Sequence, residues 1–134
     1  MLRSILISSS PLARAAQSTR VAHRAFSAST ASNAKKQFIV IARDYQDPEA
    51  QNRRIAVRPK HLEGAKALKK SGALQLGGAL LSDHSESGKM IGSIMIFSAE
   101  SEDEVKNTIE KDLYVTGKVW EHWQIMPFRQ APIE

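Results

Sequence analysis

The segment ALQLGGALLSDHSESGKMIGSIMIFSAE, residues 73–100, decides the fold. Its first part, ALQLGGALLSD, is apolar and of strand length. Its middle, HSESGK, is polar and carries Gly88, and its last part, MIGSIMIFSAE, is a second run of strand-forming residues. Two strands joined by so short a turn are antiparallel neighbours. Gly77-Gly78 inside the first of them marks a bulge or a close approach of another backbone.

The flanks complete the pattern. Upstream, VRPKHLEGAKALKKSG (residues 57–72) predicts a helix over Pro59–Ser71, because proline suits the first helical position and Gly72 supplies a stop. Before it, QFIVIARD gives a first strand from Gln37 to about Arg43, and YQDPEAQNRRIAV turns into irregular or helical structure. Downstream, Ser101 followed by Glu104 is a capping box, and Val105 and Ile109 lie four apart on an amphipathic helix. KVWEHWQIMPFR is the last strand.

The order β-α-β-β-α-β is an α+β, ferredoxin-like split βαβ arrangement: an antiparallel four-stranded sheet with both helices on one face. Strict alternation in the last strand puts Trp120, His122, Gln124 and Met126 on one side and Val119, Glu121, Trp123 and Ile125 on the other. The two tryptophans then fall on opposite faces. Two helices cannot cover both faces, so a homodimer burying Trp120 or Trp123 is expected.

Charge separates the chain into two parts. The net charge is +5, yet residues 1–33 hold Arg3, Arg14, Arg20 and Arg24 with no acid, and the first acid is Asp44. Taking those four from the 19 basic residues leaves 15 against 14 acidic ones. The rest is nearly neutral and has no basic face interleaved with aromatics, which argues against nucleic acid. An Arg-, Ser- and Ala-rich leader without acids has the features of a mitochondrial transit peptide, with a cut after Arg24-Ala25-Phe26 or nearer Asn33. The matrix is the expected location, residues 1–33 the leader and 34–134 the domain. No apolar run approaches the ~20 residues of a membrane span. The absence of cysteine excludes disulfides, thiolate metal sites and cysteine nucleophiles. No histidine pair has metal-ligand spacing and no G-x-G-x-x-G occurs, so neither a metal nor a dinucleotide cofactor is expected.

Within the domain His61 stands out. Ala65 and Leu68 follow it at helical spacing, so it lies on or beside the buried stripe and away from Lys66, Lys69 and Lys70. Arg58, Pro59 and His61, then Gly77 and Gly78, Gly92 and Ser93, and finally Asp112 and Tyr114 form a spaced signature. Together these residues resemble the YciI-like (YCII-related) domain family, over Lys36 to Arg129, in a fungal or eukaryotic mitochondrial-type member. Leu113 stands where that family commonly has proline.

The resemblance implies a dimeric α/β-barrel with a pocket holding a histidine–aspartate pair. It also implies relatives that eliminate or rearrange small aromatic-derived lactones or chlorinated hydroxyquinones. A histidine at a helix start feels the positive end of the macrodipole, while a neighbouring carboxylate fixes its tautomer. His61 is therefore the expected general base, with Asp112 as the orienting carboxylate and Asp44 as the second candidate. Arg58, though pushed out of helical geometry by the proline after it, is expected on an anionic substrate group, and Ser93 as a hydrogen-bond donor. Gly78, Tyr114 and His122 complete the expected binding residues. Two readings follow: a lyase- or isomerase-type enzyme acting on a small cyclic or enolisable anionic metabolite, or a non-catalytic dimer that binds a small molecule or a protein in the same pocket.

Overall fold

The computed structural model describes residues 34–133. The leader and its cleavage pattern lie outside the described residues. The elements are β1 (Lys36–Asp44), α1 (Ala50–Ser71), β2 (Leu74–Leu81), β3 (Met90–Ala99), α2 (Glu102–Glu110), α3 (Leu113–Thr116) and β4 (Trp120–Phe128). The sheet order is β2-β3-β1-β4 with every neighbouring pair antiparallel. This is the ferredoxin-like topology that the order of elements predicts.

One face of the sheet carries Phe38, Val40 and Ala42 from β1, Met95, Phe97 and Ala99 from β3, and Leu74 from β2. These pack with Val105 and Ile109 of α2, Ala65 and Leu68 of α1, and Tyr114 of α3 into a single core. Ser101 accepts a hydrogen bond from Glu104 N–H at 3.2 Å, and the Glu104 carboxylate accepts from Glu100 N–H at 2.9 Å. The capping box thus forms with its return bond one residue further back than the usual pattern. Gly92 is required by a close approach: a Cβ there would lie 2.3 Å from the Ala42 carbonyl oxygen.

Three expectations are corrected. First, α1 begins at Ala50, nine residues before Pro59, which sits inside it. The start is unmarked because Glu49 caps the helix with no side-chain hydrogen bond. Instead Arg53 ties the first turns down, donating to Asp47 at 2.7 and 2.8 Å and to the Lys118 carbonyl at 2.9 Å. The hydrogen bond that Pro59 cannot donate would have gone to Ile55, and both residues are exposed, so the gap falls on the outer side of the helix. Second, Arg58 is therefore helical rather than displaced.

Third, the two tryptophans share a face. Arg43 pairs with His122 but Asp44 pairs with Trp120, which leaves Glu121 without a partner. This bulge turns Trp120 back to the helix side. There it is 2% exposed, on the same side as Trp123, which faces Ala42. The opposite face carries a row that crosses all four strands: Leu76, Ile96, Ile39 and Met126.

Candidate functional site

A cavity of about 560 Å³ opens between α1 and the β2–β3 edge of the sheet. Its helix wall is built from Arg54, Arg58, His61, Ala65 and Leu68. These positions are spaced four, three, four and three apart, which is one face of an α-helix. Its opposite wall includes Leu74, Gly77, Gly78, Ala79, Ser93, Met95 and Phe97, and Asp112 and Tyr114 close one end.

His61 Nδ1 and Asp112 Oδ1 are 2.8 Å apart. The same carboxylate oxygen accepts Tyr114 N–H at 2.8 Å, so Asp112 is both the partner of His61 and the N-cap of α3. Leu113 occupies the first position of that helix, where its extra N–H is one of the unpaired donors at any helix start. A proline is therefore not needed to hold the turn. An ionised carboxylate only accepts, so His61 Nδ1–H donates to it, and Nε2 is the nitrogen left to act on a ligand. The imidazole stacks on the Tyr114 ring at 3.7 Å between centroids and 11° between planes. It meets the edge of Trp120 at 5.8 Å. Because α1 starts at Ala50, His61 lies well inside the helix, beyond the first turn in which the macrodipole acts. The carboxylate and the aromatic stack, rather than the helix end, orient the ring.

Beneath the stack is a buried polar network. Arg54 donates to Asp44 Oδ1 and Oδ2 at 2.7 and 2.8 Å, to the Gly92 carbonyl at 3.0 Å and to Ser93 Oγ at 2.9 Å. Its guanidinium carbon lies 4.7 Å from the Tyr114 ring centroid. Burial pushes the Asp44 carboxyl above its ordinary value, and the Arg54 charge pulls it back. Burial also raises the Tyr114 phenol, against the pull of Arg54 and Arg58, so it stays a neutral O–H at pH 7. Ser93 Oγ accepts from both Arg54 and Trp120 Nε1, the latter at 3.2 Å. With both lone pairs engaged, its own O–H is left to donate to a ligand.

The structure thus gathers His61, Asp112, Arg58, Ser93, Tyr114 and Gly78 around one cavity. Asp44 belongs to Arg54 and not to His61. His122 is not brought to the cavity: it is exposed and faces Arg43 on the other side of the sheet. Arg54 is the residue that the sequence reading missed. Its signal was its place four residues before Arg58 and seven before His61, which counts only once the helix is begun early enough. Among the described residues no cluster of three or more His, Asp or Glu side chains is placed to hold a metal ion.

Comparisons with known proteins bear on the family and the fold. The "Fusaric acid biosynthesis protein 2" of Gibberella fujikuroi is 35% identical over 99 residues, covering 70% of this chain and 93% of the relative. The "Derivative of benzaldehyde biosynthesis cluster protein C" of Emericella nidulans is 40% identical over 65 residues, covering 46% and 66%. Among solved structures, the 5-chloro-2-hydroxyhydroquinone dehydrochlorinase TftG of Burkholderia phenoliruptrix, in complex with 2,5-dihydroxybenzoquinone, superposes with a TM-score of 0.62. It shares 26% identity, over 71% of this chain and 95% of the bacterial one. The family model of the YCII-related domain matches residues 36–129, the whole sheet with its helices, and the chain belongs to that family.

Proposed function

We propose that this protein is a small metabolite-processing enzyme in which His61 Nε2, oriented by Asp112, acts as general base on a small, cyclic, enolisable and anionic substrate. The observation that carries this reading is the 2.8 Å His61–Asp112 contact at the wall of a predominantly apolar cavity. The base removes a proton from an acidic C–H or O–H of the ring, and the electron pair moves onto the ring oxygen as an enolate. Ser93 and Arg58 line the same cavity, which supports a role for the Ser93 O–H and the Arg58 cation in stabilising that oxygen. The likeness to a dehydrochlorinase of 5-chloro-2-hydroxyhydroquinone supports ring deprotonation, and the relatives named for the biosynthesis of fusaric acid and of a derivative of benzaldehyde support a small-metabolite substrate. The test is a mixture of small cyclic acids, lactones and hydroxyquinones incubated with the domain. Consumption of a compound by the wild type and not by His61→Ala supports the enzyme. Retention without consumption supports the alternative, a non-catalytic binding module.

The row Leu76, Ile96, Ile39 and Met126 supports a homodimer formed through the open sheet face. Leu76 and Met126 are 53% and 38% exposed in one protomer. The tryptophans lie on the helix side, so this seam does not bury them. Light scattering at micromolar concentration should give twice the monomer mass, and Ile96→Lys should halve it. A monomeric wild type refutes the dimer.

The acid-free leader supports import into the mitochondrial matrix. N-terminal sequencing of the native protein should find a start between Ser27 and Lys35, and an intact Met1 in a cytosolic fraction refutes import.

A further inference from the structure

The cavity is larger than the chemistry at His61 requires. At ~30 Å³ per water, 560 Å³ corresponds to roughly 18 waters, well above the volume of one six-membered ring. Its buried and half-buried polar side chains, Arg54, His61, Ser93 and Asp112, are gathered at one end. Along α1 the lining runs from Arg54, Arg58 and His61 to Leu62, Ala65 and Leu68, with Lys66 and Lys69 exposed beside them. The facing wall past His61 is Leu74, Gln75, Leu76, Gly77, Met95 and Phe97, of which the polar Gln75 is exposed and accepts from Gln37 Nε2. Gly77 keeps that wall flat: a Cβ there would only touch Leu74 at 3.7 Å and Met95 at 3.9 Å. Beyond Leu68, Lys69 Nζ donates to the Gln75 carbonyl and ties α1 to β2. His61 and Lys69 are eight residues apart, or about 12 Å along the helix. A single ring beside His61 fills less than half of that length. At the His61 end the helix wall carries Arg58 and Arg54, the latter held by Asp44, whereas the Asp112 carboxylate is already engaged by His61 and Tyr114 N–H. The head group that this end favours is therefore an anion.

We propose that the site takes an elongated amphiphile, with an anionic ring at the His61 end and an unbranched apolar chain laid along α1 between Leu62, Ala65 and Leu68 and the β2–β3 wall. The proposal rests on the reading of His61 as the reactive end and adds the class of substituent that the ring carries.

The test uses salicylates that bear hydrogen, ethyl, butyl, hexyl or decyl para to the hydroxyl, titrated into the wild-type domain by calorimetry. Affinity should rise by about fourfold for each methylene buried, and the gain should stop by the decyl member, whose chain reaches past the Lys69–Gln75 tie. Ala65→Leu fills the arm from the helix and Gly77→Leu fills it from the sheet. Each should flatten the rise between ethyl and hexyl, and circular dichroism reports whether the variant is folded. An affinity independent of chain length in the wild type overturns the proposal, as does failure of the hexyl member to bind. A length dependence that Ala65→Leu leaves intact in a folded protein also overturns it. Failure of the general-base reading looks different: His61→Ala then consumes the compound found in the mixture screen as the wild type does, while the dependence of salicylate affinity on chain length persists.

Discussion

His61→Ala should lower turnover of the metabolite found in the mixture screen by about 10²- to 10⁴-fold, the usual worth of a positioned general base. The loss should fall mainly on kcat, because the cavity that binds the substrate is otherwise intact. Asp112→Asn is the sharper experiment. Asparagine is as good an N-cap as aspartate, so α3 keeps the hydrogen bond from Tyr114 N–H. The amide oxygen can still accept from both Tyr114 N–H and His61 Nδ1–H, but it carries no negative charge to stabilise the imidazolium that forms when Nε2 takes the proton. Activity should therefore fall by an amount approaching that of His61→Ala, with circular dichroism and thermal midpoint little changed. Asp112→Ala should add a stability loss of about 1 kcal/mol from the missing cap. Activity retained in Asp112→Asn would show that the carboxylate serves α3 alone. Loss of the fold in His61→Ala would make the imidazole a structural member of the stack with Tyr114 and Trp120.

The sequence carried the topology because its signals were local. The turn HSESGK joins β2 to β3, and Ser101 marks the start of α2. What it hid was set by contacts between distant residues. The early start of α1 depends on Arg53 reaching Asp47 and the Lys118 carbonyl, not on a side-chain cap. The facing of Trp120 depends on one unpaired residue in β4, and a shift of one residue reverses a strand's faces. The pairing of His61 with Asp112 was expected from the family signature, since 51 positions separate the two residues. Arg54 carried no such signal. It sits in a basic Arg53-Arg54 pair that resembles a solvated helix turn, and only the buried Asp44 at the end of β1 distinguishes the second arginine from the first.

That buried pair carries the largest expected effect on stability. Arg54 is 2% and Asp44 7% exposed, and the guanidinium serves Asp44, Gly92 and Ser93 at once. Arg54→Met should destabilise the domain by about 3–5 kcal/mol, because it strands a buried carboxylate and leaves the Gly92 carbonyl without this donor. Urea denaturation measures it. The sign of the pH dependence follows from burial, which already raises the Asp44 pKa. A carboxyl whose folded pKa lies above its unfolded value, 3.8, stabilises the fold below that value and loses the contribution as pH rises through the folded pKa. Without Arg54 the folded pKa climbs further, so the penalty in Arg54→Met should shrink as the pH is lowered toward 4. Replacing both partners, Arg54→Met with Asp44→Val, removes the charges together and should recover most of the stability. It should not recover turnover. Ser93 then accepts only from Trp120, its O–H is no longer fixed, and the Tyr114 ring under His61 loses the guanidinium. A double variant that regains stability but not activity assigns Arg54 the positioning of Ser93 and Tyr114. One that regains both would confine the Arg54–Asp44 pair to holding β1 against α1.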